Sequence, residues 1–125
     1  MRKETSTNSI NHKMMVEKCG MAYTLSVIGG RWKVSLLWTL SFGKLRYGTL
    51  RDKFSVVSER ILVLQLKELE SDGLVKRIVY PEVPPRVEYE LTDEGLSLRP
   101  ILQSLSLWGD ERKASNGMQV EECTW

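Results

Sequence analysis

The 125-residue sequence has one histidine, two cysteines and little aromatic content, and each shortage removes a class of function. A single His, at position 12 in a polar stretch, leaves no Cys–His pair and no cluster of metal-ligand types. There is no Gly-rich phosphate loop either, so the sequence is not expected to be an enzyme and is expected to need no metal and no cofactor. Cys19 and Cys123 lie near opposite ends of the chain and cannot make a disulfide framework. No run of about 18 apolar residues exists, which excludes a membrane-spanning helix of that kind. The opening MRKETSTNSINHKMM lacks the apolar centre of a secretory signal. Four Pro and nine Gly are too few for a collagen-like or low-complexity chain. The expectation is a reduced, cytoplasmic domain with one core and no membrane partner.

The net charge of +2 hides an uneven distribution. Residues 31–77 carry ten basic and five acidic side chains, whereas 78–125 carry four basic and nine acidic. A basic middle beside an acidic last third fits a chain whose centre faces a polyanion, although charges that cancel in space fit the same count.

Residues 1–14 are polar and read as a flexible tail, with order beginning near Met14-Met15. In CGMAYTLSVI, Met21, Leu25 and Ile28 recur at helical spacing, and Gly29-Gly30 ends that helix. A second helix, about Arg31–Phe42, places Trp32, Leu36, Leu37 and Leu40 on one side. Leu45-Arg46 reads as an extended link, Tyr47–Phe54 as a short helix anchored by Leu50 and Phe54, and Ser55-Val56-Val57 as a turn. Ser58 is an N-cap for a helix over 59–72, with Gly73 after its end. Leu74–Tyr80 and the alternating Arg86–Leu91 make a two-stranded hairpin around a Pro-rich tip. Thr92 caps a last helical segment to about Ala114, which Pro100 should kink or split. Residues 115–125 read as a tail, leaving 15–114 as the domain. The fold class is mainly α with a small β-hairpin: a short helix, a turn, a longer helix and a hairpin wing, the order of a winged helix-turn-helix.

At about 100° per residue, Leu62, Leu66 and Leu69 share the inward face of the capped helix. Arg60, Val63, Leu64 and Lys67 fall on the other side. Cations there can meet phosphate or guanine, and an apolar group can meet a thymine methyl. For Leu64 the other reading is an isolated exposed leucine. The candidate DNA-contacting set is Ser58, Arg60, Val63, Leu64 and Lys67, with Arg46 and Arg51 at the preceding helix and Lys76, Arg77 and Arg86 on the wing. For each cation, plain solvation is the competing reading. Met21, Tyr23 and Leu25, and likewise Ile101, Leu105, Leu107 and Trp108, are more apolar surface than so small a unit covers, which points to a two-fold homodimer and a near-palindromic operator. Cys19 starts a helix beside Lys18, where thiolate is favoured; the alternative is a small apolar residue at the dimer interface.

The stretches CGMAYTLSVIGGRWKVSLLWTL, LRYGTLRDKF, SERILVLQLKELESDGLVKR, YPEVPPRVEYELTDEG and LSLWG resemble the HxlR-type winged-helix transcriptional regulators, relatives of the MarR group. Ile28-Gly-Gly-Arg-Trp32 and Tyr80-Pro-Glu-Val-Pro-Pro-Arg-Val-Glu-Tyr89 are the specific pieces. The resemblance implies a DNA-binding homodimer, often a repressor, paired through its N-terminal and C-terminal helices. It also implies that Cys19 matches the sensing position of redox-responsive members. Apart from the resemblance, the tail position of Cys123 leaves it open as a resolving partner, across the dimer or within the chain. The family often has polar residues where this chain has Val63 and Leu64, so its operator does not carry over. The effector is unknown. The alternative function is a winged helix that binds protein or RNA without reading duplex sequence.

Overall fold

The computed structural model describes residues 7–120. They divide after Arg31 into two compact units. The first holds α1 (Thr7–Lys18) and α2 (Gly20–Ile28), joined at Cys19. The extended backbone of Cys19 breaks the helix for one residue, yet its N–H still donates to the Met15 carbonyl (2.8 Å) and its carbonyl accepts from Tyr23 (3.0 Å). Helix α1 corrects the expected tail: residues 7–14 are helical. The segment has no apolar period and begins with weak helix formers; Lys13, Met14, Met15 and Glu17 are stronger ones, and it ends on Lys18, where the helix dipole favours a cation. Of the apolar residues of α2, Ile28 is buried while Met21, Tyr23 and Leu25 are exposed. Gly29 is the C-cap, where a Cβ would stand 2.1 Å from the Leu25 carbonyl oxygen.

The second unit carries α3 (Arg31–Leu40), β1 (Leu45–Arg46), α4 (Tyr47–Lys53), α5 (Glu59–Ser71), β2 (Val75–Tyr80), β3 (Arg86–Leu91), α6 (Asp93–Leu96) and α7 (Arg99–Ser115). Its core is built from Leu36, Leu37 and Leu40 of α3, Leu50 and Phe54 around α4, Leu62, Leu66 and Leu69 of α5, and Leu74, Val75, Tyr89 and Leu91 of the sheet. Leu102 alone comes from α7. The sheet is antiparallel, ordered β1-β3-β2, so the expected hairpin has a third strand. Leu45 and Arg46, expected as a link, pair with Tyr89 and Glu88. Two residues are too short to show alternation, which is why this strand left no pattern.

Caps fix where the elements begin and end. The Ser58 hydroxyl accepts from the Ile61 N–H at 3.2 Å, starting α5. At its far end the N–H groups of Gly73 and Leu74 return to the carbonyls of Glu70 and Leu69, with Gly73 at φ +76°, a left-handed turn that suits glycine. The Thr92 hydroxyl donates to the Gly73 carbonyl at 2.6 Å and accepts from the Gly95 N–H at 3.1 Å. Gly95 lies so close to the strand that an added Cβ would fall 2.2 Å from the Leu74 carbonyl oxygen. The last helical segment is split, as Pro100 predicts: α6 stops at Leu96 and Pro100 sits in the first turn of α7, where its missing N–H costs no helical bond.

Candidate nucleic-acid interface

Helix α4, the turn after it and α5 form the helix-turn-helix, and β2–β3 form the wing beside it. The three inward leucines of α5 hold the helix to the core, so its opposite side is set in space. On that side Arg60 and Lys67 are exposed, Leu64 is 46% exposed and Val63 is half-buried. Lys33, nearly buried on α3, pairs with Glu68 at 2.6 Å and ties α5 to α3.

Between α5 and the wing runs a groove of about 830 Å³. It brings together five of the expected residues: Arg46, Val63, Lys67, Arg77 and Arg86. Ser58, Arg60, Leu64, Arg51 and Lys76 do not line it. The groove therefore takes only part of the outer side of α5. Glu59, Val63, Lys67 and Glu70 face the groove, at spacings of three to four residues; Arg60, a helical neighbour of Lys67 two turns earlier, and Leu64 lie outside its lining.

The cations differ in what holds them. Among the described residues Arg46, Arg60, Lys67 and Arg77 make no ion pair, so their charge is uncommitted. Lys76 pairs across the strands with Glu90 at 3.1 Å, and Arg51 approaches Glu59 at 3.9 Å. Arg86 is the most confined. Its guanidinium lies 3.9 Å from the centre of the Tyr80 ring and 3.4 Å from the Glu82 carboxylate, and its Nε is buried with no hydrogen-bond partner among the described residues. The wing tip beyond it projects Val83 fully into solvent. The arrangement suits a phosphate backbone lying along the groove with base edges under α5.

The description "HxlR-like helix-turn-helix" matches residues 27–116. The chain belongs to the HxlR-like helix-turn-helix family. It is 44% identical over 97 residues to the HTH-type transcriptional regulator YdeP of Bacillus subtilis, covering 78% of this chain and 76% of that protein. Among solved structures it resembles the redox regulator HypR in its oxidized form (45% identity, TM-score 0.71, 74% of this chain and 96% of that one). The reduced form of HypR is equally similar, at 44% identity and TM-score 0.72 over 74% of this chain and 92% of that one. The fold is the winged helix-turn-helix of DNA-binding transcriptional regulators, and the family is one of regulators rather than enzymes.

In this HxlR-like chain the structure adds groups that sequence reasoning passed over. Glu59, Glu70 and Glu82 place three carboxylates on the groove, and Tyr47 and Tyr89 line it. The Tyr47 hydroxyl donates to Glu59 Oε1 at 2.8 Å. Burial, and then that bond to the carboxylate, push the Tyr47 phenol up to about 12, so it stays protonated and donating. The signal for Glu59 was available: it precedes Val63 by four residues and Lys67 by eight. Cys19 is exposed at the break between α1 and α2, and Cys123 lies outside the described residues. No helix among the described residues is long and apolar enough to cross a membrane.

Proposed function

We propose that this HxlR-like regulator works in the cytoplasm as a homodimeric repressor, reading a near-palindromic operator with residues 15–114. Helix α5 enters the major groove with Arg60, Val63, Leu64 and Lys67, its start fixed by Ser58. Arg46, Arg51 and the wing cations Lys76, Arg77 and Arg86 neutralise phosphates. The observation that carries this reading is the groove between α5 and the wing, where Arg46, Lys67 and Arg77 stand without acidic partners. Two copies pair through the exposed apolar residues of α2 and α7, and the dimer presents two α5 helices to half-sites about one turn of DNA apart. Oxidation of Cys19 changes DNA affinity; its exposure at a helix break supports this, as does the likeness to a redox regulator solved in oxidized and reduced forms.

Footprinting on genomic fragments with reduced and diamide-treated protein tests the whole reading. The expected result is a two-fold protected site that the oxidized protein releases and that oxidized Cys19→Ser protein retains. Affinity falls log-linearly with salt, and Arg77→Ala lowers that slope by about 1. Binding indifferent to both salt and sequence favours the protein-binding reading of the winged helix instead.

A further inference from the structure

Four cations line the groove, yet three carboxylates line it too, and Glu59 is the one that a tyrosine holds. Glu59 is the first residue of α5, and its side chain is 62% exposed. One of its oxygens, Oε1, is held by the Tyr47 hydroxyl at 2.8 Å, with Arg51 Nη1 at 3.9 Å. The other, Oε2, has no partner among the described residues. A glutamate tethered on one oxygen loses its freedom to swing away from an approaching polyanion. Glu59 lines the same groove as Val63 and Lys67, with its second oxygen left open.

From this geometry we infer that Glu59 reads a base: its free oxygen accepts a hydrogen bond from the N4 amino group of a cytosine in the major groove. The inference rests on α5 entering that groove, as set out under the proposed function. Every phosphate repels a carboxylate, and so do the acceptor atoms of guanine and the O4 of thymine. Only the amino groups of cytosine and adenine offer a donor on the major-groove side. Adenine sets its acceptor N7 beside that donor, whereas cytosine presents the donor alone, so a fixed anion gains most over cytosine. Tyr47 holds the carboxylate rather than touching the base, and is a positioning residue.

Selection of bound duplexes from a random library by the full chain tests the inference. The natural chain is expected to enrich cytosine at one symmetric position in each half-site. Glu59→Ala should lose that preference by about tenfold, with the other positions unchanged. Its affinity for scrambled duplex should rise, because one negative charge has gone from the DNA-facing surface. Glu59→Gln should shift the same position toward adenine, whose N6 and N7 an amide side chain reads together. Tyr47→Phe should blunt the cytosine preference without abolishing it. An identical enriched sequence from the natural chain and Glu59→Ala overturns the inference while leaving the regulator reading intact. So does loss of preference at a position that selects any base other than cytosine. A Glu59→Ala protein weakened equally on specific and scrambled DNA would place the carboxylate in helix stability and overturn it as well. If the natural chain enriches no sequence, the proposed function fails and takes this inference with it.

Discussion

Helices α5 and α7 both carry an apolar stripe at helical spacing, and the chain treats the two stripes differently. Helix α5 buries Leu62, Leu66 and Leu69 almost completely. Helix α7 buries Leu102 and leaves Ile101, Leu105, Leu107 and Trp108 in solvent, with Trp108 65% exposed. Helical period reports that a helix has an apolar side; it does not report what covers that side. For α5 the cover is the rest of the same unit. For α7 none of the described residues of the second unit provides it, and exposed apolar surface of that kind is what an interface between subunits needs.

The comparison can be broken most forcefully from the core. Phe54→Ala removes a fully buried ring beneath the helix-turn-helix and should cost about 3–5 kcal/mol in chemical denaturation. A loss below about 1 kcal/mol would mean that α4 and α5 do not rest on that core. On the α7 side, Trp108→Ala should leave the helical circular dichroism unchanged but weaken the proposed dimer by about 2 kcal/mol in sedimentation equilibrium. An unchanged association constant would remove α7 from the interface. Gly95→Ala tests the tight approach of α6 to the sheet and should cost about 1–3 kcal/mol by thermal melting, because the nearest atom is a backbone oxygen that cannot swing aside. The smallest effect is spectroscopic. Tyr47 has a folded-state value of about 12 against 10.0 for the free phenol, so folding favours its neutral form. Its contribution to stability is complete below pH 10 and is lost as pH rises through 12. Ultraviolet titration of the natural chain against Tyr47→Phe should show one phenol ionising near 12, and a difference curve centred at 10 would contradict it.

How far the sequence was readable follows from the same contrast. Helix α5 was legible throughout, because Ser58 supplies an oxygen at its start, Gly73 the left-handed turn after its end, and three leucines its inward side. The wing strands were legible because Val87, Tyr89 and Leu91 alternate with acids. Strand β1 was not, since its pairing with β3 joins residues more than forty positions apart through two residues of chain. Helix α1 was hidden because its sequence has no apolar face for a period to reveal. In the candidate interface the cations were found by their charge. The acids beside them were passed over for the same reason, because a carboxylate facing a polyanion looks out of place until Tyr47 is seen holding it.

The hydroxyl of Thr92 bonds in two directions, to the carbonyl of Gly73 after α5 and to the N–H of Gly95 in α6. A single oxygen thus fastens the trailing end of α5 to the first turn of the segment leading into α7. Amide protons at these two places should therefore exchange with solvent as one cooperative block, and Thr92→Val, which keeps the shape and deletes the hydroxyl, should release both together.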